Sequence, residues 1–227
     1  MTRVAIVTGA AAGLGRLLTE GLAAAGYTVV GADVAPPGDP AGAAAGSIVR
    51  ADVREPGDAA RIVAAARAVG GPHVLVNNAG GWTPGAQFPE AGAAEWAATI
   101  ELNLVAPMRL TQLVLEPMRA LGGGAVVNIS SSGGVGAEAY GSPEYGAAKA
   151  GLIRFTTAAA GLGGSHGVRV MGVVPGWIGL PRAHEQRARM SAAERTAAGP
   201  LIPPSDVVAT VLDLIASGTA GEVREML

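Results

Sequence analysis

The chain has no cysteine, one lysine, two phenylalanines and only 15% charged residues among its 227 positions. Without cysteine there can be no disulfide, no thiolate nucleophile and no thiolate-bound metal. The three histidines, His73, His166 and His184, lie far apart and match no metal-ligand spacing. With aromatics at 4%, the core must be built from Ala, Val, Leu and Gly, which suits helices lying close against a sheet. The net charge is -2, with no basic block and no basic-aromatic stripe, so nucleic-acid binding has little support. No run of 18 or more apolar residues is free of charges and helix breakers, so no membrane span is expected. The opening Met1-Thr2-Arg3-Val4-Ala5-Ile6-Val7 is too short an apolar run for a signal peptide. These features predict one domain over residues 1–227, in the cytoplasm.

The scarcity of lysine is informative in itself. Fifteen basic positions carry arginine, and only Lys149 breaks the pattern. Arginine presents a wide planar fork, whereas lysine offers a compact ammonium with three rotatable donors. Tyr145 lies four residues upstream, so on a helix the two side chains share a face. An ammonium beside a phenol favours the phenolate and lowers a pKa that starts near ~10. The pair is therefore a candidate for proton transfer near neutral pH.

Along the chain, short apolar runs alternate with helical patterns. Strands are predicted at residues 3–7, 28–32, 47–51, 73–76, 125–129 and 167–174, with a short last strand at 221–226. Helices are predicted over 14–25, 56–69, 95–121, 143–162 and 205–216, with one or two short ones within 179–199. Residues 34–46 are dense in turn formers and read as a mobile loop. This alternation predicts an α/β fold with a parallel sheet and helices on both faces. No internal repeat and no linker interrupts it.

Thr8-Gly9-Ala10-Ala11-Ala12-Gly13-Leu14-Gly15 falls between the first strand and the first helix. Glycines there let a backbone approach a pyrophosphate, and a helix N-terminus presents free N–H groups. The spacing is G-x3-G-x-G rather than G-x-G-x-x-G. Asp33, 18 residues past Gly15, ends the second strand. A carboxylate at that tip can accept hydrogen bonds from both hydroxyls of an adenosine ribose and repels a 2'-phosphate. No basic residue follows Asp33, and Ala12 is not basic, so NAD is favoured over NADP. Asp52, followed by Val53, either meets the adenine amino group, with Val53 walling the ring, or caps a turn.

Asparagine usage is as informative as lysine usage: there are four, Asn77, Asn78, Asn103 and Asn128. Asn77 and Asn128 stand in apolar strands, where a buried amide needs partners, and structural bracing is the favoured reading for both. Asn103 sits within a long helix, where asparagine is a poor former and can distort the turn. Ser130, Ser131 and Ser132 follow the fifth strand, at the carboxyl edge where open parallel sheets bind ligands.

Taken in order, Thr8-Gly9-x3-Gly13-x-Gly15, Asp52-Val53, Asn77-Asn78-Ala79-Gly80, Asn103, Val127-Asn128-Ile129-Ser130-Ser131, Tyr145-x3-Lys149 and Pro175-Gly176 resemble the short-chain dehydrogenase/reductase family over roughly residues 4–223. The resemblance implies a Rossmann-type doubly wound parallel sheet of about seven strands in the order 3-2-1-4-5-6-7. It implies a nicotinamide-dependent oxidoreductase acting on an alcohol or ketone. Tyr145 would be the acid/base on the substrate oxygen. Lys149 would hold the nicotinamide ribose and lower the Tyr145 pKa, Ser131 would position the substrate oxygen, and Asn103 would support a water relay to Lys149. Gly9, Gly13, Leu14, Gly15, Asp33, Asp52, Val53, Asn78, Ala79, Gly80, Pro175, Gly176 and Ile178 would bind the cofactor, with Tyr145 and Lys149. A homodimer or homotetramer is implied as well.

Three departures stand out. The gap usual between serine and tyrosine fits Ser132, whereas motif alignment favours Ser131. Leu180 occupies the place of the threonine that would contact the nicotinamide carboxamide. The Asp-Gly-Gly run that many members carry near their C-terminus, a region that helps assembly, is missing. Residues 177–200 form the expected substrate loop; Arg182, Arg187, Arg189 and Arg195 there either receive an acidic substrate or are solvated helix faces. The pocket is expected to be lined by Gly81-Trp82, residues 132–140 and residues 177–184, with Trp82 and Trp177 suiting an apolar or ring-shaped substrate. Alternatives are an NADPH-dependent carbonyl reductase or epimerase, or a nucleotide-binding regulator without the chemistry.

Overall fold

The computed structural model describes residues 3–35, 46–82, 85–136 and 141–227. Most of the expected mobile loop at 34–46, and the expected pocket residues at 137–140, lie outside these. The strands are β1 (Arg3–Thr8), β2 (Tyr27–Asp33), β3 (Gly46–Arg50), β4 (Val74–Asn77), β5 (Gly124–Ile129), β6 (Val168–Pro175) and β7 (Val223–Met226). All pair in parallel, in the order β3-β2-β1-β4-β5-β6-β7. The expected sheet is therefore present, with its reversal between β1 and β4. The helices are α1 (Gly13–Ala24), α2 (Pro56–Ala68), α3 (Ala93–Ile100), α4 (Ala106–Ala120), α5 (Pro143–Ala158), α6 (Leu162–His166), α7 (Pro181–Ala188), α8 (Ala192–Ala197) and α9 (Pro204–Ser217). None of the described helices is long and apolar enough to cross a membrane.

The alternation of the strands sorts side chains between two helical layers. Ala5 and Val7 of β1 join Leu18, Leu22, Val211 and Leu214 beneath α1 and α9. Val4 and Ile6 face the other way, onto Ile62, Leu110, Val114 and Met118 of α2 and α4. Both faces of the sheet are covered, which is why the strands read as nearly continuous apolar runs. Arg169 of β6 crosses to the end of α9, where it donates to the carbonyls of Leu214, Ile215 and Gly218. One guanidinium thus takes two of the last four carbonyls of the helix and that of its C-cap, Gly218.

Two helical predictions need correction. The single helix expected over 95–121 is two helices joined by a π-turn at Glu101–Val105. The helix expected over 143–162 ends at Ala158 and passes through a 3₁₀ turn into the short α6.

Candidate active site

Loop and helix geometry open a cleft of about 810 Å³ along the carboxyl edge of the sheet. Its floor begins at the glycine-rich turn. Gly9 and Gly13 adopt left-handed backbone conformations, with φ of +66° and +55°, which favours glycine at both. A Cβ on Gly15 would fall 1.9 Å from the Gly9 carbonyl oxygen and 2.6 Å from Asn78 Nδ2, so the first turn of α1 packs against the loop only if residue 15 has no side chain. The N-cap of α1 is Ala12, with no side-chain hydrogen bond and no acidic residue in the first turn. The usual capping oxygen is missing, and the first N–H groups and positive helix end face the cleft. These features fit an anionic group, and in particular a pyrophosphate.

At the tip of β2, Asp33 accepts hydrogen bonds from the backbone N–H groups of Ala11 (2.9 Å) and Ala35 (3.0 Å). Its carboxylate is thereby fixed on the cleft wall, beside the glycine loop. Asp52 is occupied differently: it caps the turn to Arg54 and takes that guanidinium at 2.6 Å. Hydrogen bonding from Arg54 holds the Asp52 carboxyl below its ordinary value, against the opposing effect of burial. Of the two roles open to Asp52, turn capping is seen directly. Arg54 also lines the cleft, a placement the sequence did not suggest.

The other end of the cleft is held by polar side chains that are themselves tied down. Asn77 and Asn128 stand opposite each other in the β4–β5 register, on the same face of the sheet. Asn77 Nδ2 donates to Asn128 Oδ1 (2.8 Å), and Asn128 Nδ2 donates to Thr156 Oγ1 (2.9 Å). Thr156 lies in α5, so the chain of amides braces that helix against the sheet, the role expected for both residues. Asn78 Nδ2 donates to the Thr8 carbonyl at 2.9 Å, locking the end of β4 to the glycine loop.

Asn103 sits in the π-turn and is fully buried. It accepts from the Gly81 N–H (2.9 Å) and donates to the Gly81 carbonyl (3.1 Å) and the Thr99 carbonyl (2.9 Å). The side chain thus takes a carbonyl in its own helix and also reaches the loop after β4, a use that explains a poor helix former in mid-helix. A Cβ on Gly80 would lie 2.7 Å from Asn103 Oδ1 and 3.3 Å from Lys149 Nζ, so the glycine lets these two groups converge.

Tyr145 and Lys149 lie on the cleft-facing side of α5 and both are buried. Lys149 Nζ is 5.7 Å from the centroid of the Tyr145 ring and donates to the Ile129 carbonyl at 2.9 Å. Burial pushes the Lys149 ammonium down to about 8. Ser130 fastens the same helix to β5 by donating to the Lys149 carbonyl (2.9 Å). Ser131 lines the cleft with Tyr145 and Lys149, whereas Ser132 does not.

Of the predicted site residues, all but Asn103 line this one cleft; Asn103 stands behind Gly80 and Gly81. Leu102, Leu180 and Arg182 complete the wall. Within the expected substrate pocket, Gly81, Ile178, Leu180 and Arg182 are in place, but Trp82 and Trp177 do not line the cleft. The Trp177 backbone carbonyl accepts a hydrogen bond from the Ile202 N–H. Among the described residues no cluster of three or more His, Asp or Glu could hold a metal ion.

Residues 3–191 match the family model described as short chain dehydrogenase. The chain belongs to the short-chain dehydrogenase/reductase family. Members are oxidoreductases that act on CH–OH donors with a nicotinamide cofactor, NAD or NADP. Similar relatives include cis-4-hydroxycyclohexanecarboxylate dehydrogenase of Sinomonas cyclohexanicum, 36% identical over 97% of this chain and 92% of the relative. The 3-oxoacyl-[acyl-carrier-protein] reductase of Vibrio cholerae is 32% identical over 99% of this chain and 94% of the reductase. A short-chain dehydrogenase/reductase structure from Burkholderia xenovorans superposes with a TM-score of 0.87, at 29% identity, covering 99% of this chain and 94% of that one.

Proposed function

We propose that this dehydrogenase/reductase moves hydride between NAD and a secondary alcohol or ketone, with Tyr145, Lys149, Ser131 and Asn103 as its working set. The observation that carries the reading is the convergence of Ser131, Tyr145 and Lys149 on one end of a cleft whose other end carries the Asp33 carboxylate. When bound, the nicotinamide supplies the hydride acceptor or donor. The protein's own task is to place the substrate oxygen and move its proton.

In the oxidation direction Tyr145 Oη takes the proton of the alcohol; in reduction it returns one. The Lys149 charge, 5.7 Å from the ring centroid, stabilises negative charge on that oxygen. With its pKa near 8, Lys149 is mostly charged at neutral pH, so this support is present where the reaction would run. Ser131 Oγ already accepts a hydrogen bond from the Gly133 N–H (3.2 Å). That bond orients the hydroxyl and leaves its proton for a substrate oxygen. Asn103 acts at one remove, fixing Gly81 and the approach of Gly80 to Lys149. The preference for NAD rests on Asp33, whose immobilised carboxylate suits two ribose hydroxyls and repels a 2'-phosphate. Arg54, the cation on the cleft wall nearest in sequence to β3, is committed to Asp52. A homo-oligomer in the cytoplasm is the setting we assign to it.

Thermal denaturation with each cofactor tests the cofactor choice, because stabilisation rises with the ratio of ligand concentration to Kd. NAD should raise the Tm more than NADP at equal concentration. A larger shift with NADP would refute the role given to Asp33. Turnover of a panel of secondary alcohols and ketones tests the chemistry. NAD binding without any turnover would favour a nucleotide-binding regulator instead.

A further inference from the structure

Five charged side chains line the cleft, and four of them are engaged. Asp33 takes two backbone N–H groups, Asp52 and Arg54 pair with each other, and Lys149 donates to the Ile129 carbonyl. Arg182 also lines the cleft. Among the described residues it makes no hydrogen bond and no ion pair. Of the other arginines singled out in this segment, Arg187 donates to the Gly199 carbonyl and Arg195 to the Met190 carbonyl; Arg189 is exposed, as Arg182 is, but does not line the cleft.

The backbone that carries Arg182 is held by its neighbours. Gly179 donates to the Ile202 carbonyl, Ile202 donates to the Trp177 carbonyl, and Ala183 is buried, so the start of α7 is anchored. Leu180 Cδ1 lies 3.7 Å from the point where a Gly13 Cβ would stand, so α7 begins beside the first residue of α1. Arg182 is therefore an exposed guanidinium, without a partner among the described residues, in the first turn of α7, and α7 starts beside the uncapped N-terminus of α1, whose first turn carries no acidic residue. Leu180 brings no polar group to this wall.

We propose that Arg182 binds the cofactor's pyrophosphate from the substrate-loop wall, so that the anion is held between a guanidinium and the N-terminus of α1. The assignment rests on the cleft being a dinucleotide site. A planar fork can take two phosphate oxygens at once, which a lysine cannot reproduce. It also ties the substrate loop to the cofactor through a charge-assisted contact, where Leu180 offers only apolar contact.

Calorimetric titration with ADP and with adenosine separates this contact from the chemistry. Arg182→Ala should weaken ADP binding about tenfold, the loss expected for one charge-assisted hydrogen bond of about 1.4 kcal/mol or more, and leave adenosine binding unchanged. Arg182→Lys should fall between, and Arg189→Ala should match the wild type. The ADP deficit should shrink as salt is raised. Wild-type ADP affinity in Arg182→Ala overturns the proposal. So does an unchanged ADP affinity with a raised KM confined to carboxylate-bearing alcohols, which would assign Arg182 to a substrate anion. If the wild type binds neither ADP nor NAD, the dinucleotide reading itself falls, whatever Arg182 does.

Discussion

The floor of the cleft and the α7 wall use polar side chains in opposite ways. On the floor, polar groups are few and nearly all are bonded: Asn77 to Asn128, Asn128 to Thr156, Asn78 to Thr8, Asn103 to Gly81, Lys149 to Ile129. Along α7, polar groups are dense, and Arg182, His184, Glu185, Gln186 and Arg189 make no side-chain hydrogen bond or ion pair among the described residues. A buried polar group left unpaired is costly, whereas an exposed one is not. The floor is thus a preorganised frame, and the wall keeps its charges available. Preorganisation matters most where a proton must move between fixed atoms.

The sharpest way to break the frame is to remove its reacting atom. Tyr145→Phe deletes Oη while keeping the ring in place. Turnover should fall by about 10²–10⁴, the range for a general acid/base, with the Kd for NAD within a few-fold of wild type. Retained turnover would take Tyr145 out of its role. Gly15→Ala strikes the other end of the floor. Its Cβ cannot coexist with the Gly9 carbonyl at 1.9 Å, so the loop must shift. NAD-induced thermal stabilisation should vanish, although the new methyl raises helix propensity.

The amide chain gives a smaller, thermodynamic effect. Asn128→Ala leaves Thr156 Oγ1 without its donor and removes the best acceptor of Asn77 Nδ2. A cost of about 2–4 kcal/mol is expected from unpaired buried groups and the cavity combined. Denaturant titration measures it. A loss below about 0.5 kcal/mol would show that the bracing is dispensable.

Much of this frame could be read from the sequence, because rarity is itself a signal. One lysine and four asparagines in an apolar chain mark places where a specific polar group is needed, and each lines the cleft or braces its floor. The strand order followed from alternation together with the family resemblance. The π-turn itself was not predicted: a helical pattern carries on through 95–121, and Asn103 marked only a turn that could be distorted. The use of the distortion shows only in the fold: Asn103 bonds Thr99 in its own helix and Gly81 across the loop, and the second contact is long-range. Arg54 in the cleft, Trp177 missing from its lining, and the choice of Ser131 over Ser132 for that lining depend likewise on how loops return across the sheet edge. Local pattern does not encode that.

The mildest test asks what the frame costs. Lys149 is buried, and burial alone lowers its pKa from 10.5 to about 8. The unfolded chain therefore holds a proton that the native state releases between pH 8 and 10.5. Where the unfolded state binds more protons, stability rises with pH. The penalty is accordingly complete below pH 8 and is relieved as the pH climbs through that window. Lys149→Met removes the charge, at the expense of the bond to the Ile129 carbonyl. At pH 7 the variant should be more stable by about 2 kcal/mol, the charge penalty of about 3 kcal/mol less one lost hydrogen bond. That corresponds to about 4–8 °C in Tm for a chain of this size. The difference from wild type should narrow above pH 8 while turnover is lost at every pH. A variant no more stable than wild type at pH 7 would mean that Lys149 is better solvated in the native state than its burial implies. The contrast between a costly frame and an undemanding wall would then weaken at the one position where the chain chose lysine.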